Sequence, residues 1–168
     1  QEEKLALLEG QLSDITQIMC DIYSRFLFES EVVEKRKDKF LFADDLGEIM
    51  LNAQKKAYGN GLDETTLHPY MWICKVHYYS ADLGFYNYPY AFGGLFARGL
   101  YAKYKNEGSA FIEKYNKMLK STPVMSVEDA AKICDIDLTS KDFWLMSLHS
   151  YDDAIQEYER LVTEETIR

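Results

Sequence analysis

Side chains that can donate hydrogen bonds are concentrated between His77 and Tyr104. The segment HYYSADLGFYNYPYAFGGLFARGLYAKY mixes tyrosines and a histidine with glycines, a composition untypical of a hydrophobic core. A phenol or a protonated imidazole can donate to an oxygen that gains negative charge in a transition state. Ordinary packing with the hydroxyl at the surface explains any single tyrosine equally well. The clustering with glycines favours a surface that faces a substrate.

The rest of the sequence offers little other chemistry. The three histidines are His68, His77 and His149, and none is followed by Glu-x-x-His, so we predict no zinc site of that kind in this chain. Gly93-Gly94 lacks the preceding strand, the third glycine and the lysine of a phosphate-binding loop. Nothing local supports a Cys or Ser nucleophile paired with His77.

Composition limits the classes of function. With 168 residues, 47% of them hydrophobic, we predict a single domain over residues 1–168. The net charge of −9 disfavours binding to nucleic acid or to anionic membranes. No apolar run is long enough to span a bilayer, and no signal peptide is recognisable, so we predict a cytoplasmic protein. Cys20, Cys74 and Cys134 are expected to be buried thiols.

The elements that must position the aromatic segment are predicted to be helices. Apolar residues at three- and four-residue steps predict one long amphipathic helix over residues 5–26. A second helix is expected over residues 46–57, with Asp44 and Asp45 at its start and Gly59 just past its end. Pro69 is expected in the first turn of a short helix that ends near His77.

Helices are also predicted beyond the aromatic segment. Helical spacing resumes at Leu95 and ends at Gly108, and Ser109 is expected to cap the next helix, which Pro123 stops. Ser126 is expected to cap a short helix, and residues 139–142 to start one last helix through Leu161. No segment has the alternating pattern of a strand. The fold class predicted is all-α, a multi-helix bundle.

The aromatic segment also supports a family resemblance. The run FYNYPYAFGGLFARGLYAKYKNEGSAFIEKYNKML, preceded by His77-Tyr78-Tyr79 and followed by SVEDAAK and DLTSKDFW, resembles the C-terminal region of oligoendopeptidase F. This is the bacterial branch of the thimet-oligopeptidase-like zinc metallopeptidases. The similarity extends back through QEEKLALLEGQL and MCDIYSRFLFESEVVEK, and so covers essentially the whole chain.

The resemblance implies a C-terminal fragment of the catalytic domain of a larger, mostly helical peptidase. In that family an HExxH helix and a further glutamate hold the catalytic zinc, and both precede the region that this chain resembles. The implied parent hydrolyses oligopeptides with zinc, whereas this chain alone is expected to bind no metal and to be inactive. Its implied partners are the oligopeptide substrate and the upstream HExxH-containing part of the same protein.

The family's other functional residues match the aromatic segment. The resemblance implies catalytic roles for His77, Tyr90 and Tyr88 as donors to the oxyanion, while zinc polarises the scissile carbonyl and the HExxH glutamate activates water. It implies substrate-binding roles for a second set: Tyr86, Gly93 and Gly94. Two alternatives remain open, a non-catalytic module that binds peptides or other partners, and a purely structural helical subdomain.

Overall fold

The computed structural model describes residues 1–166, and these are predominantly helical. They contain no β-strand, which confirms the all-α prediction. Five short 3-10 turns lie between α3 and α4, and one π-helical segment follows α1. The α-helices of the described residues are α1 (Glu2–Thr16), α2 (Ile22–Lys35), α3 (Ala43–Tyr58), α4 (Tyr88–Glu107), α5 (Ala110–Ser121), α6 (Val127–Lys132), α7 (Lys141–His149) and α8 (Asp152–Thr166).

The chain divides into two compact units, each with a hydrophobic core of its own. One unit is Gly10–Phe92, which we call the aromatic unit because it contains His77 and the tyrosines up to Tyr90. The other, called the C-terminal unit, combines Gln1–Glu9 with the chain from Gly93 onward. The single domain over residues 1–168 stays a prediction.

The predicted first helix is interrupted by a π-helical segment, Gln17–Asp21. Residues in a π-turn rotate less about the axis than those in an α-helix, so the apolar face is displaced beyond it. The single apolar face predicted over residues 5–26 is therefore wrong at its far end, where Phe26 is exposed. The buried face of α2 instead consists of Ile22, Ser24, Arg25 and Phe28.

The core of the aromatic unit forms where α2 packs against α3. Helix α3 starts as predicted, because the carboxylate of Asp45 accepts a hydrogen bond from the Phe42 amide at 3.0 Å. Hydrogen bonds from Lys39 and from that amide lower the pKa of Asp45. The helix ends at Tyr58 and is followed by Gly59, whose φ of +53° favours glycine. The buried apolar residues of this core are Phe28, Leu41, Ile49, Met50 and Ala53.

The short helix predicted from Pro69 to His77 is wrong. The structure has two separate 3-10 turns there, Met71–Cys74 and Val76–Tyr78. Lys75 lies between them in an extended conformation, with φ −104° and ψ +101°, which breaks the helical hydrogen-bond pattern. The second turn carries His77.

Helix α4 begins at Tyr88, seven residues before the predicted Leu95. Pro89 lies in its first turn, where a missing amide hydrogen costs no helical hydrogen bond. Ser109 precedes α5, but its backbone is already helical and its side chain makes no capping bond, so the predicted cap is wrong. Helix α5 ends at Ser121, before Pro123 as predicted.

The predicted last helix is in fact two helices, α7 and α8. The break between them lies at Ser150, which accepts two hydrogen bonds from Arg98. Arg98 Nε donates to the Ser150 hydroxyl and Nη2 donates to the Ser150 carbonyl, both at 2.7 Å. The same guanidinium lies over the Tyr151 ring at 4.3 Å from its centre. The core of the C-terminal unit is formed by Leu100, Phe111, Met118, Ala130, Ala131, Cys134, Ile136 and Phe143.

The three cysteines differ in exposure. Cys134 is buried, Cys20 is half-buried, and Cys74 is exposed, so the prediction of a buried thiol is wrong for Cys74. Cys74 is the last residue of a 3-10 turn rather than part of the predicted helix. It therefore does not lie on the apolar helix face that the neighbouring apolar residues predicted. Within residues 1–166 no helix has both the length and the apolarity needed to cross a bilayer.

Candidate functional site

Three rings of the aromatic unit form a mutual cluster, which we call the aromatic triad: His77, Tyr86 and Tyr90. The Tyr86 ring stacks on the imidazole of His77 at 5.9 Å between centres and 17° between planes. Tyr90 meets both edge-on, 6.2 Å from His77 and 5.9 Å from Tyr86. Offset stacking and edge-to-face contact are the favourable geometries for aromatic pairs. The three rings therefore restrict one another's orientation.

Local backbone structure brings these rings together. His77 lies in the 3-10 turn Val76–Tyr78, and Tyr90 lies in the first turn of α4. Between them, Phe85 has a φ of +55°, a left-handed conformation that is rare for a bulky residue. Phe85 directly precedes Tyr86, whose ring lies against His77.

The tyrosines of the segment are exposed rather than buried. Tyr86 and Tyr90 each keep 46% of their surface accessible, and Tyr88 keeps 59%. Asn87 is only 1% exposed, so the segment alternates outward phenols with a buried amide. Buried phenols with internally bonded hydroxyls would have favoured the purely structural alternative, and these three side chains are exposed instead.

A cleft of about 290 Å³ lies beside the triad in the aromatic unit. Two triad members, His77 and Tyr90, form part of its wall. The remaining wall comes from the π-helical segment and the start of α2, namely Gln17, Ile18, Ile22 and Arg25. Both polar and apolar groups are thus available to a molecule in the cleft, as is typical of ligand sites.

Two residues of this wall, Arg25 and His77, also carry buried polar atoms. Arg25 is 7% exposed, forms an ion pair with Asp21, and donates from Nη1 to the Asn87 side-chain oxygen at 3.4 Å. Buried polar atoms usually have hydrogen-bond partners, so each unpaired one calls for an explanation, such as a bound water or a ligand. Five such atoms have no partner among the described residues: Trp72 Nε1 and, in or next to the wall, Arg25 Nε, Glu29 Oε2, His77 Nδ1 and Asn87 Nδ2.

Two further tyrosines border this polar layer. Burial raises the pKa of Tyr78, and burial together with the nearby Asp21 carboxylate raises the pKa of Tyr58 to about 12. Both phenols are therefore protonated at neutral pH. The Tyr78 hydroxyl donates to the backbone carbonyl of Arg25 at 3.4 Å, which connects the turn that carries His77 to α2.

The other predicted site residues lie apart from the triad. Tyr88 is the first residue of α4 and is not one of the three clustered rings. Gly93 and Gly94 also lie on α4 but belong to the C-terminal unit. A Cβ atom built at Gly93 would have no heavy atom within 4 Å, so tight helix packing does not explain this glycine. The roles assigned to these residues stay predictions.

The described residues bring together no set of side chains that fits a zinc site. Within residues 1–166, no group of three or more His, Cys, Asp or Glu side chains is arranged to hold a metal ion. His68 is engaged locally, because its Nδ1 accepts a hydrogen bond from the Tyr70 amide at 3.1 Å. His149 Nδ1 lies 2.9 Å from an Asp152 carboxylate oxygen.

The sequence interpretation missed Arg25 and Glu29. Both lie on α2, four residues apart: Arg25 falls between the buried Ile22 and Phe28, and Glu29 directly follows Phe28. Charged residues on the apolar side of an amphipathic helix are the informative exception to its pattern. That exception could have identified them from the sequence, whereas their contacts with residues 85–87 could not be anticipated.

The chain is similar in sequence to a curated protein. That protein is the oligoendopeptidase F homolog of Borreliella burgdorferi, which is 31% identical over 105 residues. The matched region is 62% of this chain but 17% of that protein, so the chain corresponds to a small part of its relative. This similarity supports a relation to a peptidase. No family model matches the chain, and no solved structure matches it.

Proposed function

We propose that this chain forms the substrate-facing wall of a peptidase related to oligoendopeptidase F. The observation that carries the proposal is the aromatic triad beside the cleft of about 290 Å³. Two of the three residues, His77 and Tyr90, line that cleft, and the resemblance assigns oxyanion-binding roles to the same two. The similarity to a protein named oligoendopeptidase F homolog supports the reaction class.

The proposed chemistry is hydrogen-bond donation to the substrate. The Tyr90 hydroxyl and an imidazole N–H of His77 donate to the carbonyl oxygen as it gains negative charge during attack on the peptide bond. Tyr86 fixes the plane of the imidazole by stacking on it, so the donor is oriented before substrate binds. The apolar side chains Ile18 and Ile22 on the cleft wall bind a substrate side chain.

Other parts of the proposal rest on the resemblance alone. They are the zinc ion, the upstream HExxH segment that would hold it, the oligopeptide substrate and the cytoplasmic location. The inactivity of the isolated chain and the substrate-binding roles of Gly93 and Gly94 are proposed on the same basis. None of the steps assigned to His77, Tyr86 or Tyr90 requires a metal ligand from this chain.

The proposal is tested by Tyr90→Phe in the protein that includes the proposed upstream segment. Loss of one oxyanion donor is expected to lower kcat by about 100- to 1,000-fold. KM should change little, because the bond forms mainly in the transition state. The measurement is steady-state hydrolysis of a fluorogenic quenched oligopeptide.

Tyr23→Phe is the matched control, because Tyr23 is an exposed tyrosine of α2 and is not part of the triad or the cleft wall. It should leave kcat and KM unchanged. An unchanged kcat in Tyr90→Phe would contradict the catalytic role. Peptide binding without hydrolysis, undiminished by the upstream segment's removal, would instead support the non-catalytic alternative.

A further inference from the structure

Helix α2 contacts the two residues that flank Tyr86 through three side chains. A carboxylate oxygen of Glu29 accepts a hydrogen bond from the Phe85 amide at 2.7 Å. The ring of Phe26 meets the Phe85 ring edge-on at 6.1 Å between centres. Arg25 donates to the buried side-chain oxygen of Asn87 at 3.4 Å. Residues 85 and 87 are thus both held by the same two turns of α2.

Phe85 needs such support because of its backbone conformation. With a φ of +55°, its Cβ crowds the backbone, and a bulky residue persists there only where its surroundings impose it. A hydrogen bond from an amide to a charged carboxylate is stronger than one to a neutral acceptor. The hydrogen bond from the Phe85 amide to Glu29 therefore stabilises the strained residue itself.

The carboxylate of the half-buried Glu29 is partly withdrawn from solvent, which indicates that this bond is specific. Its second carboxylate oxygen is buried and has no hydrogen-bond partner among the described residues. A surface glutamate would keep that oxygen in water, as burying it unpaired is unfavourable. Glu31, on the same helix, shows the ordinary case, a surface ion pair with Lys35 at 2.9 Å. The position of Glu29 is therefore not explained by helix surface charge.

We propose that Glu29, assisted by Arg25, is a positioning residue that holds the Phe85–Asn87 turn and so stacks Tyr86 on His77. Its functional importance rests on the proposed role of the triad in substrate binding. Turning the chain at Phe85 places Asn87 inward on Arg25 and leaves the Tyr86 ring against the imidazole. Without the Glu29 acceptor, Phe85 is expected to relax to a negative φ and to move Tyr86 off His77.

The geometry can be tested without an activity assay. The chain has three histidines, so labelling their rings for NMR resolves His77 from His68 and His149. The ring current of the stacked Tyr86 should shift the His77 ring protons upfield. Glu29→Ala is expected to abolish this shift, and Glu29→Gln, which retains an acceptor oxygen, to preserve it. The matched control Glu31→Ala should also preserve it.

The upfield shift of the His77 ring protons is the result that supports or overturns the proposal. A folded Glu29→Ala variant that keeps the His77 shift would overturn it, as would a Glu29→Gln variant that loses it. If Glu29→Ala does not fold, hydrogen exchange in the unaltered chain decides: the Phe85 amide should exchange slowly. Exchange at the rate of an unstructured peptide would overturn the proposal.

Kinetics separate this inference from the proposed function. In the protein with the upstream segment, Glu29→Ala is expected to lower kcat/KM by up to about 100-fold, the effect of misplacing a catalytic group by about 1 Å. If Tyr90→Phe leaves kcat unchanged while Glu29→Ala loses the His77 shift, the peptidase role fails and the positioning role stands. If the Glu29→Ala variant keeps the shift of the His77 ring protons, the positioning role fails, whatever kcat and KM are measured.

Discussion

Gly99 and Gly93 lie six residues apart on helix α4 and have different surroundings. A Cβ atom at Gly99 would overlap the Phe143 ring and the Ser147 hydroxyl of α7, and both of those side chains belong to the buried core. The same atom at Gly93 would meet nothing within 4 Å. At Gly99 the absence of a side chain is what lets α7 approach α4.

We therefore expect Gly99→Ala to lower the free energy of unfolding by about 1–3 kcal/mol, the usual effect of overpacking a core. Gly93→Ala is the matched control on the same helix. It should be neutral or raise stability by about 0.5–1 kcal/mol, because alanine favours the helix. Urea denaturation followed by circular dichroism measures both. Equal effects of the two substitutions would contradict the close contact assigned to Gly99.

Single residues also show where sequence reasoning reached its limit. The concentration of tyrosine predicted a surface array, and the exposure of Tyr86, Tyr88 and Tyr90 agrees with a surface position. Which ring would stack on His77 was not predictable, because that depends on the left-handed turn at Phe85. Glycine and asparagine are the residues that indicate a left-handed turn in a sequence, and position 85 is neither.

At the scale of elements, Ser126 and Ser109 differ in whether the side chain caps the helix that follows. Both serines immediately precede a helix, and both were predicted as caps. Ser126 is extended, and its hydroxyl accepts from the Asp129 amide at 3.1 Å. Ser109 already has helical backbone angles and makes no such bond. The same residue type at the same position therefore stabilises one helix and not the other.

Replacing the Ser126 hydroxyl should leave an amide of the first turn of α6 without its acceptor. We expect Ser126→Ala to reduce stability by about 1 kcal/mol. Ser109→Ala should change stability by less than about 0.5 kcal/mol, as is usual for substitutions that break no cap or core contact. Chemical denaturation of both variants checks the comparison, and a larger loss in Ser109→Ala would reverse the assignment.

Most helices could be predicted from the sequence. The points at which a predicted helix is interrupted could not. Helices α3, α5 and α6 follow from apolar periodicity and from their stop signals, which act locally. The π-helical segment Gln17–Asp21 and the break at Ser150 were both missed. At the break, Arg98 bonds Ser150 from a distant part of the sequence. Contacts between residues 52 positions apart leave no signal in a local pattern.

The first turn of α4 was missed for a different reason. Tyrosine, proline and asparagine at residues 86–90 are individually poor helix formers, so propensity favoured an irregular segment. Proline is nevertheless compatible with the first turn of a helix, and the chain uses it there. The early start matters for the site, because it places Tyr90 on a regular helix rather than on a loop.

At the scale of the whole molecule, the beginning of the chain and its last described helix are joined within the C-terminal unit. Lys4 forms an ion pair with Glu157 of α8, and Arg160 donates to the same carboxylate at 2.8 and 2.9 Å. Hydrogen bonds from Arg160 and then Lys4 lower the pKa of Glu157 to about 2. Proton uptake by this carboxylate therefore opposes the folded state.

The sign of the pH effect follows from the direction of that shift. Glu157 has a lower pKa in the folded state than its ordinary value of 4.5, so its contribution to stability is complete above that value. The contribution is lost as the pH falls from 4.5 towards 2. Glu157→Gln should therefore be less stable than the unaltered chain at pH 7, and the difference should vanish near pH 2.

Urea titrations of both proteins at pH 7, 4, 3 and 2 measure this difference. High salt should reduce the difference at pH 7, because exposed ion pairs are screened. Glu113→Gln is the control, since Glu113 is an exposed residue of α5 outside this cluster and should show no such pH dependence. A Glu157 effect that is equal at pH 7 and pH 2 would mean that the substitution acts through packing. The tie between Lys4 and α8 would then not be electrostatic.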